Sequence, residues 1–239
     1  VTPQVLQALF GYEDEHAFPP RETISPTEPI GIVADVDGRR RFMLVRWGFL
    51  PSWVKDPGDF PLLFNARAET AADKPAFRNA IRRRRCLVPA DGFFEWRRSG
   101  TGRNAVREPF LVRRRDGMPM AMGGVWETWA GADGSEIDTA AILTTAANGT
   151  VAAIHDRMPV IVEPADFAAW LDPHEDDPAV ISRMLRPAAD DVIELMAVDR
   201  GRPRPLPPGS LSGVRKGAGT AVKPEPEPPP SEPEQGSLF

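Results

Sequence analysis

The sequence holds one cysteine, Cys86, in 239 residues, so no internal disulfide framework can form, and a reducing, cytosolic setting is expected. It has three histidines, His16, His155 and His174, far apart in the chain, and no Cys-x-x-Cys pair. A zinc-type ligand set is therefore not expected, and neither a metal nor another cofactor is called for. No apolar run approaches the roughly 18–20 residues that cross a bilayer, and the first residues carry no basic-then-apolar export pattern. No repeat is evident. What is plentiful is proline and charge: 27 prolines, 29 basic and 34 acidic residues. The apolar share of 41% still suffices for a real core, and the length suits one domain with an appendage.

The net charge of −5 is unevenly spread. In residues 221–239, Lys223 stands against Glu225, Glu227, Glu232 and Glu234, net −3, so the rest of the chain sits near −2. Within that body Arg82 to Arg85, Arg97-Arg98, Arg113 to Arg115 and Arg200, Arg202 and Arg204 form basic blocks. Gathered on one face they would make a field for phosphates; scattered, they are solvated surface. From about Pro203 onward apolar periodicity stops, and residues 206–239 read as a disordered Pro/Glu-rich tail behind a domain of residues 1–205. The last five, Gln235-Gly236-Ser237-Leu238-Phe239, restore two large apolar side chains to that tail, the pattern of a docking peptide on a tether.

Strand signals dominate the body. Gly31 to Ala34 and Arg41 to Phe49 read as strands joined through Asp37-Gly38, and further strands are expected at Cys86–Val88, Phe93–Arg97, Phe110–Arg114, Met120–Trp126, Thr139–Thr145, Pro159–Val162 and Val192–Val198. Helices are expected at Thr2 to Phe10, Ala76 to Arg84, Pro164 to Leu171 and Ala179 to Leu185, and a short one at Asn148 to Ile154 that delivers His155. Asn65 to Thr70 reads as irregular. Many short strands with a few peripheral helices mean α+β.

Three stretches carry residues suited to chemistry. In Cys86 through Trp96 a carboxylate, Glu95, stands between the rings of Phe94 and Trp96. An acid among rings loses solvation, which disfavours its charged form; the alternative is a structural ion pair with an arginine. In His155-Asp156-Arg157-Met158-Pro159 an imidazole sits beside an acid in a loop entering a strand, placed either for proton transfer near neutral pH or merely on the surface. In Asn65-Ala66-Arg67-Ala68-Glu69-Thr70 the amide offers donor and acceptor, or simply forms a turn, and Arg67 offers a planar fork for phosphate. Trp47 and Trp53 flank Gly48 to Ser52 and are either core or a platform for bases. Cys86, entering an apolar strand, reads as core.

Together with Trp47-Gly48-Phe49-Leu50-Pro51 and Thr144, these stretches, in order and approximate spacing over residues 20–200, resemble the SRAP family (SOS-response-associated peptidase), whose members shield abasic sites in single-stranded DNA. The resemblance implies antiparallel sheets curled into a barrel-like fold with peripheral helices around a channel for single-stranded DNA. It also implies a cytoplasmic, nucleoid-associated monomer with autopeptidase and DNA–protein cross-linking activity. By resemblance the family's N-terminal cysteine, exposed when the initiator methionine is removed, closes a thiazolidine on the open aldehyde of an abasic sugar. Asn65 would then orient the terminal amine, and Glu95 and His155 would move protons. Trp47, Trp53, Arg67, Trp96, Thr144 and Arg157 would contact DNA. The family begins Met-Cys-Gly-Arg, whereas these residues begin Val1-Thr2-Pro3-Gln4, so the expectation is that such a segment precedes Val1. The family's usual Tyr-Asn is replaced by Glu22-Thr23, and no site residue is carried over there. Gln235, Leu238 and Phe239 resemble a bacterial sliding-clamp-binding peptide. Two other readings remain open: a non-covalent single-strand-binding module tethered to the clamp, and a peptidase or hydrolase using Glu95 and His155 on protein.

Overall fold

A computed structural model describes residues 2–14, 21–100, 106–199 and 202–205. His16, Arg200 and the whole tail, including Gln235, Leu238 and Phe239, lie outside the described residues.

The chain opens with helix α1 (Pro3–Phe10): Thr2 Oγ1 accepts from the Val5 N–H, and Gly11, in the left-handed region at φ 68°, ends the helix by donating to Gln7 O at 2.9 Å. Strands β1 (Pro29–Val36) and β2 (Arg39–Trp47) follow as a hairpin. Its turn, Asp37-Gly38, takes positive φ at both positions, as the twist of a two-residue hairpin demands. Next come β3 (Asn65–Arg67), one helical turn α2 (Ala80–Arg83), β4 (Arg85–Ala90), β5 (Phe93–Ser99), β6 (Val106–Arg114), β7 (Met120–Ala130) and β8 (Glu136–Ala146). After β9 (Arg157–Pro159) come helices α3 (Phe167–Leu171) and α4 (Pro178–Met184), then β10 (Ile193–Asp199) and β11 (Arg202–Pro205).

Strands β2, β1, β4, β7 and β8 pair in that order, and β8 returns to β2, closing a five-stranded barrel. The expectation of antiparallel strands holds around the ring except at the seam, where Arg46 and Trp47 pair parallel with Thr139 and Ala140. A second sheet, β11-β10-β6-β5, packs against it and is antiparallel throughout. Alternation along the barrel strands sends Val33, Leu87, Ala121 and Leu143 into a core with Phe10, Phe77, Phe167 and Trp170 of the helical layer. It sends Ile32, Cys86, Met122 and Ile142 into another core with Phe110, Val112 and Ile193 of the second sheet. Gly123 and Gly124 of β7 sit between these layers, where a Cβ on Gly124 would lie 2.9 Å from Ala141 O and 3.0 Å from Cys86 Sγ.

Three expected elements differ. The strand expected at Pro159–Val162 lies instead at Arg157–Pro159, and beyond it Ile161 makes only an isolated bridge to Met122. The stretch Asn65 to Thr70, read as irregular, begins with the strand β3, which exists because it pairs parallel with β8 rather than through any pattern of its own. The helix expected over Ala76 to Arg84 is regular only from Ala80 to Arg83. Buried Arg85 explains where it stops: its guanidinium donates to Ile81 O at 2.8 Å, Arg82 O at 2.7 Å, Trp170 O at 2.6 Å and Glu175 O at 3.0 Å, and also to Asp172 O. One cation thereby closes the carbonyl ends of both α2 and α3, where the helix dipoles favour positive charge. No described helix is long and apolar enough to cross a membrane.

Candidate active site

The second half of β8 assembles the site. On one edge it pairs with β3, setting Asn65 beside Ile142 and Arg67 beside Thr144; on the other it pairs with β9, setting Thr144 beside Pro159 and Ala146 beside Arg157. Alternation along β3 buries Ala66 and leaves Asn65 and Arg67 exposed on the same face. The peptide before Asn65 is fixed twice: Phe64 O accepts from Trp47 Nε1 at 2.8 Å and from the Ile142 N–H at 3.1 Å. Trp47 thus spends its N–H on holding the approach to Asn65, its ring edge-on to Phe64 at 6.4 Å.

His155 stands on a loop that begins with a 3-10 turn, Val151–Ala153, where Val151 O accepts from the His155 N–H at 3.0 Å. Asn148 anchors this loop, donating to Ala188 O at 3.0 Å and accepting from the Val151 N–H at 3.0 Å, while Asp190 accepts from the Gly149 N–H at 2.7 Å. The imidazole Nδ1 lies 3.0 Å from both the N–H and the carbonyl of Arg157, so it has a partner bare or protonated, and Nε2 is left for other company. Asp156 stands 3.5 Å from the same nitrogen.

Glu95 comes from the other sheet, opposite Phe110 in β6. Burial pushes its carboxyl above the usual carboxylate range; His155 opposes this, as does the Trp96 backbone N–H, and Asp156 reinforces it. Glu95, His155 and Asp156 are therefore within electrostatic reach across the two sheets. The shared core gives the reason. Phe110 opposite Glu95, Ile142 beside Asn65 and Ile154 before His155 all belong to one buried cluster.

Arg157 is fastened rather than free. Nη1 and Nη2 meet Glu69 Oε1 and Oε2 at 2.8 and 2.9 Å, and Nη2 also donates to Thr144 O at 2.6 Å and Oγ1 at 3.1 Å. The bond from Arg157 holds the Glu69 carboxyl below its ordinary range. Glu69 has no signal of its own in sequence, because its partner is 88 residues away and only the β8 register joins them.

The remaining expected residues are dispersed. Trp96, 48% exposed, points to the face of β5 opposite Glu95, since adjacent strand residues alternate. Trp53, 59% exposed, meets Phe60 edge-on at 5.6 Å in the loop after β2. The arginine blocks are largely spent inside the protein: Arg84 pairs with Glu127 at 2.7 Å, Arg97 with Glu108 at 2.7 Å, Arg113 with Glu194 at 2.7 Å and Arg114 with Glu163 at 3.0 Å. Arg46 and Arg67, at either side of Trp47 and Asn65 in the chain, make no ion pair among the described residues. Cys86 is fully buried and burial pushes its thiol up, as the sequence reading of it as core expects. Among the described residues no three His, Cys, Asp or Glu side chains gather as a metal site.

The fold is a closed five-stranded barrel with a flanking four-stranded sheet, with Glu95 of that sheet within electrostatic reach of His155 and with Asn65 and Arg67 exposed on β3 at the edge of β8. The family described as SOS response associated peptidase (SRAP) matches residues 1–201, and the chain belongs to it. The abasic site processing protein YoqW of Bacillus subtilis is 33% identical over 184 residues, 77% of this chain and 81% of that protein. YedK of Escherichia coli, also named an abasic site processing protein, is 32% identical over 151 residues, 63% of this chain and 64% of YedK. A crystal structure from Bacteroides thetaiotaomicron superposes with a TM-score of 0.66 at 28% identity, covering 73% of this chain and 75% of that one.

Proposed function

We propose that this protein processes abasic sites in single-stranded DNA, capturing the opened sugar covalently through an N-terminal cysteine that precedes Val1. The observation that carries this reading is that Glu95, on the second sheet and with its carboxyl raised by burial, comes within electrostatic reach of His155 at the barrel. Cys86 cannot do this work, being internal, without an α-amine, and buried.

In the proposed reaction the cysteine amine attacks the sugar aldehyde and forms a carbinolamine. Glu95, whose proton affinity burial raises, gives the proton with which hydroxide leaves as water and takes back the N–H proton of the resulting iminium, leaving an imine. The thiol then adds across the C=N bond, its sulfur to carbon and its proton to nitrogen, and closes the thiazolidine with net loss of one water. Asn65 accepts from the amine and orients it. His155, gripped at Nδ1 by the Arg157 backbone, uses Nε2 to relay protons during ring opening and reversal. Arg67 holds a flanking phosphate, Thr144 and Arg157 frame the pocket, and Trp47, Trp53 and Trp96 meet bases along the strand. Removal of the initiator methionine uses the same acid and imidazole with water as nucleophile.

We place the tail in the same reading: Gln235, Leu238 and Phe239 dock on a sliding clamp and bring the domain, as a monomer, to replication forks. The test is a gel. Protein carrying the N-terminal cysteine, incubated with abasic single-stranded DNA and then denatured, is expected to yield a heat-resistant adduct. Glu95→Gln is expected to slow its formation about 100-fold, the scale of one general acid. Reversible binding without adduct would instead favour the tethered binding module, and peptide turnover without DNA the hydrolase.

A further inference from the structure

We infer that Glu69 is a positioning residue for His155, acting through Arg157; the inference rests on the reaction just proposed but its test does not. The chain of contacts is short. Both Glu69 oxygens are taken by the two terminal nitrogens of Arg157, at 2.8 and 2.9 Å, the in-plane fork that fixes a guanidinium in one orientation. Nη2 reaches past Glu69 to Thr144 O and Oγ1, tying the fork to β8. The backbone of the same arginine then meets His155 Nδ1 in either state, its N–H donating to the bare nitrogen or its carbonyl accepting from the protonated one, each at 3.0 Å. Glu69 therefore sets the Arg157 rotamer, the rotamer sets where β9 begins, and β9 sets the imidazole.

The clasp also decides what Arg157 is available for. With Nη1 and Nη2 engaged, its charge is met by Glu69 instead of DNA, and the free guanidinium beside Asn65 is that of Arg67. Arg157 Nε, buried and without a partner, faces inward and offers no second grip on the strand. The Glu69 carboxyl, held below its ordinary range chiefly by the Arg157 bond, stays ionised throughout the neutral range, so the clasp is closed wherever the reaction runs.

Glu69→Gln removes the charge and turns one acceptor into an NH2 that confronts an arginine N–H. Glu69→Asp keeps charge and both oxygens but withdraws them by one methylene. In full-length protein with the N-terminal cysteine, Glu69→Gln is expected to slow adduct formation about tenfold, the scale for losing a group that orients a reacting side chain. The affinity for intact single-stranded DNA is expected not to weaken, because Arg67 is untouched and an Arg157 released from Glu69 only adds a cation. Glu69→Asp should recover part of the rate. Glu108→Gln, which also breaks a carboxylate–arginine pair, should change neither. The decisive reading is the His155 imidazole 15N spectrum: Glu69→Gln should move the Nδ1 resonance toward that of free imidazole, and Glu108→Gln should not. An unmoved Nδ1 resonance in folded Glu69→Gln protein would overturn the inference, whether or not the rate falls. A wild-type protein that makes no adduct would sink the proposed reaction alone, since the spectrum reads the clasp without it.

Discussion

Glu95 shows how one residue is tuned by what surrounds it. It belongs to a strand that faces the apolar layer between the sheets, so burial is the largest influence on its carboxyl and raises it. The sign of the stability effect follows. An acid whose folded value lies above its unfolded one contributes stability that is fully present below the unfolded value and lost as pH rises through the folded one. At neutral pH the charged carboxylate thus costs stability, and Glu95→Gln is expected to raise the melting temperature there while slowing the chemistry. Scans of both proteins from pH 3.5 to 8 check this: the variant's advantage should grow with pH, and an advantage confined to the acid end would contradict it. The raised carboxyl of Glu95 was expected from the sequence for the wrong reason: Phe94 and Trp96 alternate to the other face of β5, and the burial comes from the layer between the sheets. The clasp of Glu69 on Arg157 was not, because neither side chain differs locally from an ordinary surface charge. The roles expected of Trp53 and Trp96 rested on type alone, and ring type says nothing of which way a side chain points.

At the scale of elements, β8 is the organiser: it closes the barrel against β2 and then carries β3 and β9 on its two edges. Its strand character was plain in the run from Thr139 to Thr145, and the β1–β2 hairpin was legible because Asp37-Gly38 suits only a tight turn. Strand β3 was hidden because three residues carry no alternation and their partner is parallel and distant in sequence. The helix over Ala76 to Arg84 was overextended at its start, where residues 76–79 form turns, while its end was foreseen to within a residue and is held by Arg85 folding back onto the last carbonyls. The placing of β5 rests on a close approach at its start. A Cβ on Gly92 would meet Val112 O at 2.4 Å and Leu111 Cδ1 at 2.9 Å, so the backbone itself must yield. Gly92→Ala is expected to destabilise the fold by about 1–3 kcal/mol by denaturant titration and to lower activity beyond its loss of folded protein, since β5 carries Glu95. Full stability in that variant would refute the packing.

For the whole molecule, the family match over residues 1–201 and the closed barrel with its second sheet agree with the α+β architecture expected from strand signals. The charge distribution was harder to foresee: blocks of arginine suggested a positive face, yet most of the members found in ion pairs sit opposite acids brought in from other strands. Composition counts charges, and only the fold pairs them. The terminal peptide makes a prediction of its own at this scale: Leu238→Ala with Phe239→Ala should abolish binding to a sliding clamp, measured by surface plasmon resonance, and leave single-strand binding by the body unchanged. Unaltered clamp binding would remove the tail from the account. The central claim is that a leading amino group and an abasic sugar meet between Glu95, His155 and Asn65. Mass spectrometry of the protein incubated with abasic single-stranded DNA tests it most directly. The account predicts a heat-stable species one water lighter than the sum of its parts, mapping to an N-terminal cysteine and forming about 100-fold more slowly in Glu95→Gln; attachment at Cys86 or at a lysine would contradict it.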